Sequence, residues 1–207
     1  MALLKDEKLL RIGRQIKSLL EGQRLILASA SPRRKQILSE IGLTFQTYSP
    51  NIEEDINSSP PDVHVKYYAL KKAQTVAKQV DSGIILAADT MVVLESEVLG
   101  KPKDQNQAQL MLKKLSGKVH TVFTGVAVLN KAVEKEAVDF QSTRVVFNQL
   151  TPQFIQKYIA TGEYVDKAGA YGIQGMGSFL VKEIIGDLDN VIGLPLALVK
   201  RILKEVL

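Results

Sequence analysis

The chain of 207 residues has no cysteine and only two histidines, His64 and His120. The absence of cysteine excludes disulfides and thiol nucleophiles, and it agrees with a reducing compartment. Because the chain has only these two histidines and they lie in separate segments, a histidine-rich metal site or a serine–histidine triad is not expected. We therefore expect both histidines to be structural.

Long apolar runs are also missing. No segment approaches the ~20 apolar residues that cross a bilayer, and no basic stretch precedes an apolar signal core. The pattern predicts a cytoplasmic protein without a membrane partner. The formal net charge is +5, but the basic residues are scattered and no basic stripe with interleaved aromatics occurs. This charge distribution favours an anionic small molecule over a nucleic acid.

Strand-like and helical runs alternate along the chain, which predicts an α/β protein. The predicted strands cover residues 25–28, 44–48, 83–94, 119–129, 137–147 and 179–185, and the predicted helices cover 33–41, 61–80, 104–115, 152–160 and a terminal stretch ending at 207. Hydrophobic content of 45% agrees with a real core. We expect two lobes with a cleft between them, and the sequence shows no sharp boundary.

Residues 1–22 form an amphipathic segment that precedes the predicted domain at 23–207. Apolar residues recur at helical spacing among charged ones, and Gly22 is a stop signal. We interpret the segment as a docking helix. Its acidic residues, Asp6, Glu7 and Glu21, disfavour the alternatives of a membrane-surface helix or a targeting peptide.

Two arginines stand at the predicted start of the helix 33–41. Ser31 suits the N-cap and Pro32 the first helical position, so Arg33 and Arg34 fall in the first turn, where the helix dipole disfavours cations. Free backbone N–H groups beside two guanidiniums describe a phosphate site. The alternative is a capped surface helix with two solvated arginines.

Asp89 interrupts the most apolar predicted strand of the chain. Burying a carboxylate without partners costs several kcal/mol, so Asp89 is expected to bind a metal, pair with a cation or face a cleft. The alternative is a buried aspartate that caps a neighbouring loop. Thr90 beside it can add a hydroxyl to the same site.

Three further charged residues are candidates for that site. Lys72 falls on the apolar stripe of the helix 61–80, where a lysine either snorkels to the surface or reaches into a cleft. Lys101 follows the Asp89 strand and can reach the same opening, although alone it is an ordinary turn lysine. Glu54 lies in an acidic loop and is either solvated or, with Asp89, an oxygen ligand for Mg²⁺.

Several motifs together resemble the Maf family of nucleoside triphosphate pyrophosphatases. The resemblance lies in residues 29–34, 88–90, 99–102, 115–117 and 166–175, which match in order and spacing and cover the chain from about residue 25. It implies an α/β fold with a bent mixed sheet, flanking helices and two lobes around a cleft, of the inosine triphosphatase type.

The resemblance also implies a reaction. Water attacks the α-phosphorus of a nucleoside triphosphate and releases the monophosphate and pyrophosphate, with help from Mg²⁺ or Mn²⁺. The positions that match phosphate-binding residues are Ser29, Arg33, Arg34, Lys72 and Lys101. Glu54 matches an acidic position for which we favour a metal-ligand role. Asp89 matches the family's proton acceptor, and the sequence does not separate this role from that of a metal ligand.

The glycine-rich segment 169–175 resembles the branch of the family that acts on dTTP and UTP. Thr90 and Gln174, with Arg33, occupy positions associated with the choice of nucleotide, and the Gln174 amide can both donate to and accept from a pyrimidine edge. The alternative is that the glycines shape a tight loop in which Gln174 satisfies its backbone. Residues 188–190 depart from a stretch that is often aromatic in the family.

A second hypothesis belongs to another class of function. The family has been linked to septum formation and division arrest, which suggests a non-catalytic nucleotide-binding regulator. Release of pyrophosphate separates an enzyme from such a regulator. The residues do not decide between a monomer and a homodimer.

Overall fold

The predicted alternation of strands and helices is confirmed in a computed structural model, which describes residues 7–55 and 59–207. The helices are α1 Glu7–Leu20, α2 Pro32–Glu40, α3 Pro61–Ala77, α4 Gln105–Leu115, α5 Pro152–Ala160, α6 Leu188–Ile192 and α7 Leu196–Val206. The strands are β1 Leu25–Ala28, β2 Gln46–Tyr48, β3 Ile84–Leu94, β4 Glu97–Leu99, β5 Val119–Asn130, β6 Lys135–Phe147 and β7 Val181–Ile185.

The structure corrects the sequence prediction at short elements. Strand β4 and helix α6 were not predicted, because three and five residues are too few to show a period. The predicted terminal helix is divided, with Pro195 in an extended conformation at the N-cap of α7. The predicted N-terminal helix is present as α1, and residues 1–6 of that segment lie outside the described residues.

The strands form one mixed sheet. Its order is β2-β1-β3-β5-β6-β7, with β4 paired to β3. β1 runs parallel to both β2 and β3, whereas β3 with β4 and β6 with β7 are antiparallel pairs. The chain divides into two compact units. The first comprises residues up to Asp89, Thr124–Gln141 and Gly193–Leu207, and the second comprises Thr90–Phe123 and Ser142–Ile192.

In the first unit, α1 packs against α7 through a buried apolar stripe. The stripe consists of Leu9, Ile12, Ile16 and Leu20. Gly13 lies on the same side, and a Cβ atom there would stand 2.7 Å from the Cβ of Ile41, just beyond α2. The predicted docking helix therefore contacts both the last helix and the end of α2.

Helix α3 lies very close to the sheet of the first unit. Small side chains of α3, including Ala69 and Ala73, pack with Ile85, Ala87 and Ala127 of the strands. At Gly125 of β5, a Cβ atom would lie 2.2 Å from the backbone oxygen of Val65 in α3. The absence of a side chain at Gly125 is therefore what permits the helix to approach.

The second unit has its own core, in which α4 and α5 pack against each other. Both helices begin where the sequence predicts. The Asp104 side chain accepts a hydrogen bond of 2.7 Å from the N–H of Gln107, and Thr151 accepts one of 3.1 Å from Phe154. These caps satisfy helix N–H groups that have no partner within the helix.

Among the helices in the described part of the chain, none has both the length and the apolar character that crossing a bilayer requires.

Replacing Gly125 with alanine is expected to destabilise the protein. The added methyl group overlaps the α3 backbone and must displace the helix, at a cost of about 1–3 kcal/mol in the free energy of unfolding. Urea unfolding monitored by circular dichroism measures this change. Ser18→Ala, at an exposed position of α1, is the control and does not lower the midpoint, because alanine is the better helix former. An unchanged midpoint for Gly125→Ala would show that the contact tolerates a methyl group.

Candidate functional site

Three predicted residues of the first unit lie just beyond the point where the parallel pairing of β1 with β2 and β3 ends. Ala28 of β1 pairs with Tyr48 at the end of β2 and with Ala87 of β3. Ser29 follows β1, Glu54 lies in the loop after β2, and Asp89 comes two residues after Ala87. The carboxyl ends of parallel strands form one edge of a sheet, where ligands commonly bind in α/β proteins.

Asp89 faces helix α3 and pairs with a lysine there. Side chains alternate along a strand, so Asp89 shares the face of Ile85 and Ala87, which α3 covers. Lys72 Nζ lies 2.6 Å from Asp89 Oδ1. Both residues are buried, with 6% of Asp89 and 8% of Lys72 exposed. Lys72 therefore does not snorkel, and Asp89 is paired with a cation rather than capping a loop.

The same ammonium group contacts a second carboxylate. Lys72 Nζ lies 2.6 Å from Oε1 of Glu54, whose side chain is 39% exposed. The alternative that Glu54 is only solvated is therefore wrong. One ammonium group therefore contacts two carboxylates.

Arg34 is held in a buried position by two hydrogen bonds. Its Nε donates to the backbone oxygen of Gly193 at 2.8 Å, and its Nη1 donates to Ser29 Oγ at 3.1 Å. The Ser29 hydroxyl also accepts a 3.2 Å bond from the N–H of Ser31. The alternative of two solvated arginines is therefore wrong for Arg34. Arg33 is half-buried.

The prediction that Ser31 is the N-cap residue of α2 is confirmed. Ser31 does occupy the N-cap position with extended angles, φ −63° and ψ 118°, but its side chain makes no capping hydrogen bond. The serine hydroxyl that serves this turn belongs to Ser29, which accepts from the Ser31 backbone and from Arg34. Residue type alone does not distinguish two serines that are two positions apart.

Burial lowers the pKa of Arg34 to about 10. The negative charges of Asp89 and Glu54 oppose this shift, and the neighbouring positive charge of Arg33 adds to it. Arg34 still carries its charge at neutral pH, because its pKa remains about three units above 7. The first unit therefore holds a buried arginine within the electrostatic reach of both carboxylates.

The other predicted site residues belong to the second unit. Thr90 is half-buried in β3, and Lys101 is exposed just after β4. The glycine-rich segment lies beside Lys101, because the N–H of Gly169 donates to the backbone oxygen of Gly100 at 3.1 Å. Gln174 is partly buried and immediately precedes a 3₁₀ turn at Gly175–Leu180.

A carboxylate that the sequence analysis missed holds the segment around Gln174. Glu163 accepts hydrogen bonds from the N–H groups of Met176 and Gly177, at 3.1 and 3.2 Å. Gly177 itself must lack a side chain, since a Cβ atom would stand 1.8 Å from the oxygen of Gly172. An acidic residue shortly before a glycine-rich segment is the only signal in the sequence for this contact.

A buried histidine and tyrosine anchor the beginning of that segment. His120 Nε2 and the Tyr171 hydroxyl are 2.7 Å apart, and both rings pack edge-on against Phe147. Burial lowers the pKa of His120 to about 4. Burial, with a smaller contribution from Tyr158, raises the pKa of Tyr171. Both side chains are neutral at pH 7, in keeping with a structural role for His120.

The described residues contain no cluster of three or more histidine, cysteine, aspartate or glutamate side chains that is arranged to hold a metal ion. Glu54 and Asp89 nevertheless contact the same atom, Lys72 Nζ, each at 2.6 Å. Mg²⁺ is commonly held by one or two carboxylates, with water and substrate phosphates completing its shell. This oxygen donor set fits Mg²⁺ or Mn²⁺ shared with a phosphate ligand, not a closed structural site.

Comparison with known proteins places most of the chain in one family. Residues 24–206 match the family model described as Maf-like protein. The dTTP/UTP pyrophosphatase of Dictyoglomus turgidum is 47% identical, over 87% of this chain and 95% of that protein. The dTTP/UTP pyrophosphatase of Moorella thermoacetica is 49% identical, over 87% of this chain and 93% of that protein.

Among solved structures, the Ham1 protein of Staphylococcus aureus has a similar fold. The TM-score is 0.50, and the match covers 88% of this chain and 99% of that one. At 12% sequence identity, this similarity concerns the fold alone.

The low pKa of His120 predicts that part of the stability is lost in mild acid. As the pH falls below 6.5, His120 becomes protonated in the unfolded chain. In the folded protein, His120 stays neutral until the pH reaches about 4. Stability is therefore complete above about pH 6.5 and decreases by about 2 kcal/mol between pH 7 and 5 on account of this group. Urea unfolding at both pH values measures the decrease.

His120→Phe is the comparison for this measurement, because it retains an aromatic ring and removes the titration. The variant is less stable at pH 7, since the Tyr171 hydroxyl loses its partner, but it loses less stability between pH 7 and 5. If both proteins lose the same stability between pH 7 and 5, His120 is not the cause of the pH dependence.

Proposed function

Because the chain belongs to the Maf-like protein family, we propose that it hydrolyses dTTP and UTP to the nucleoside monophosphate and pyrophosphate. The observation that carries the proposal is near-half identity to dTTP/UTP pyrophosphatases over almost their whole length. The arrangement around Lys72 supports it, because basic and acidic side chains meet where a polyphosphate and a cation require them.

The basic residues bind and orient the triphosphate. Arg34 is fixed by Ser29 and by the Gly193 backbone, so its guanidinium is oriented before substrate arrives. Arg33 and the N–H groups at the start of α2 add further donors for phosphate oxygens. Lys72 and Lys101 supply point charges, and such positioning is the main protein contribution to hydrolysis of a phosphoanhydride.

Asp89 acts at the reacting phosphorus. Water attacks the α-phosphorus, the bond from this phosphorus to the α,β-bridging oxygen breaks, and pyrophosphate leaves with those electrons. Asp89 either accepts the proton of the attacking water or would serve as a ligand of the divalent cation. Its contact with Lys72 uses Oδ1, which fixes the carboxylate in one orientation.

Glu54 and Asp89 would hold the divalent cation, Mg²⁺ or Mn²⁺. Neutralisation of phosphate charge and activation of water are the chemistry that such an ion supplies when bound. The contact of Glu54 and Asp89 with the same atom, Lys72 Nζ, supports this role, because it brings the two carboxylates close together.

Thr90, Gln174 and Arg33 select the nucleotide. Gln174 carries an amide that both donates and accepts, which matches the alternating edge of thymine or uracil. The segment that bears it is fixed through Glu163 at Met176 and Gly177. A fixed amide discriminates between bases better than a mobile one.

Residues 1–22 lie outside the catalytic domain at 23–207 in this proposal. The family match beginning at residue 24 supports the division, and residues 1–6 of the segment lie outside the described residues. A non-catalytic regulator, the second hypothesis, is not favoured by the similarity to enzymes.

A screen for pyrophosphate release tests the proposed function. Purified protein with Mg²⁺ or Mn²⁺ is expected to release pyrophosphate from dTTP and UTP faster than from purine triphosphates. A coupled phosphate assay after addition of inorganic pyrophosphatase measures the rates. Absence of release from every canonical and modified triphosphate would refute the enzyme, and binding without turnover would support a regulator.

Asp89→Asn is expected to lower kcat at least about 100-fold, because an amide neither accepts the proton nor ligates a cation as well. Circular dichroism checks that the fold is retained. Asp62→Asn, at a half-buried position in the first turn of α3, is the matched control and keeps full activity. Recovery of the rate at high Mn²⁺ would identify Asp89 as a metal ligand rather than a base, whereas an undiminished rate would remove it from the mechanism.

A further inference from the structure

A tyrosine on α3 reaches the backbone of the acidic loop. Tyr68 is 4% exposed, and its hydroxyl accepts a 2.7 Å hydrogen bond from the N–H of Asp55. The same hydroxyl donates to the backbone oxygen of Asp55 at 3.1 Å. These two bonds hold both backbone polar groups of a residue that lies outside any helix or strand.

The first bond acts directly on Glu54. The N–H of Asp55 belongs to the peptide group that joins it to Glu54, so a bond to this N–H fixes the plane from which the Glu54 side chain projects. An exposed loop glutamate otherwise loses backbone and side-chain freedom each time it contacts a ligand. A fixed peptide reduces that cost.

Tyr68 and Lys72 are four residues apart on α3 and therefore lie on one face, one turn from each other. That face contacts the loop twice, through Tyr68 at the Asp55 backbone and through Lys72 at the Glu54 carboxylate. The two contacts act on adjacent residues of the loop. Together they restrict where the carboxylate stands relative to Asp89.

We propose that Tyr68 is a positioning residue, whose hydroxyl holds Glu54 in place for the divalent cation of the phosphoanhydride hydrolysis. The proposal rests on the proposed function for the role of Glu54. Tyr68 touches neither substrate nor reacting atoms and acts through the loop backbone. In the sequence it is one more apolar position of the α3 stripe, and only its hydroxyl distinguishes it.

The chain offers a test that separates the hydroxyl from the ring. The Tyr68 ring is held by His64 at 4.6 Å between ring centroids and by Tyr67 at 5.1 Å. Tyr68→Phe therefore retains the packing and removes both hydrogen bonds. Tyr67→Phe is the matched control, because it removes a hydroxyl from the adjacent residue, which is 56% exposed.

The first measurement concerns the loop and requires no activity. Hydrogen exchange followed by mass spectrometry on peptides covering residues 49–60 reports the protection of the Asp55 amide. Tyr68→Phe is expected to increase the exchange rate about tenfold or more, whereas Tyr67→Phe leaves it unchanged. Unchanged exchange in Tyr68→Phe would overturn the anchoring contact, whatever the protein catalyses.

The second measurement concerns the cation. Electron paramagnetic resonance titration of Mn²⁺, with an α,β-imido analogue of dUTP present, gives its affinity without turnover. We expect about tenfold weaker binding in Tyr68→Phe, as for other residues that orient metal ligands, and no change in Tyr67→Phe. Lost protection with wild-type Mn²⁺ affinity would overturn the positioning role and leave the anchoring contact standing.

A double-mutant cycle on kcat/KM closes the test. If Tyr68 acts through Glu54, Tyr68→Phe lowers kcat/KM in the wild type but has no further effect in Glu54→Gln. Additive losses would overturn the proposal. Failure of the proposed function is distinguishable, because it appears as a wild-type protein that releases no pyrophosphate, while the exchange measurement keeps its meaning.

Discussion

The contact between Lys72 and Asp89 is the interaction on which the first unit of this protein depends. Each charge alone would be costly inside the layer formed by α3 and the sheet, and removing one partner of a buried pair typically costs about 3–5 kcal/mol. The pair requires α3 to lie close to β3. Gly125 and the alanines of α3 provide that closeness, so residues without obvious chemistry determine the geometry of the charged ones.

The charges around this pair nearly balance without a ligand. The positive charges of Lys72 and Arg34 balance the negative charges of Asp89 and Glu54. The pKa of Arg34 is lowered to about 10, because the effect of burial on this pKa is larger than the opposing effect of the two carboxylates. A nucleoside triphosphate would bring several negative charges and its divalent cation two positive ones. In the proposed function, the half-buried Arg33 and the start of α2 receive the phosphate charge, and the two carboxylates receive the cation.

The sequence predicts the residues of the site better than their partners. The cost of burying Asp89 and the position of Lys72 on the α3 stripe are visible in the sequence, but their 2.6 Å contact depends on how closely α3 approaches β3. Tyr68 and Tyr171 look like core residues, because a hydroxyl partner 13 or 51 residues away leaves no local pattern. The type of an element is predictable where the element is long enough to repeat its hydrophobic period. Strand β4 and helix α6 are too short for that.

The two irregular segments that carry predicted ligands are fixed by the same physical means. Around Glu54 the Tyr68 hydroxyl binds backbone groups of Asp55, and after Gln174 the Glu163 carboxylate binds backbone N–H groups. The backbone N–H and C=O groups of a loop have no partners in a helix or sheet. They must form hydrogen bonds with side chains of neighbouring elements or with water. Because these bonds form on folding, the cost of ordering the loop is met before any nucleotide binds, and the binding energy of substrate remains for the transition state.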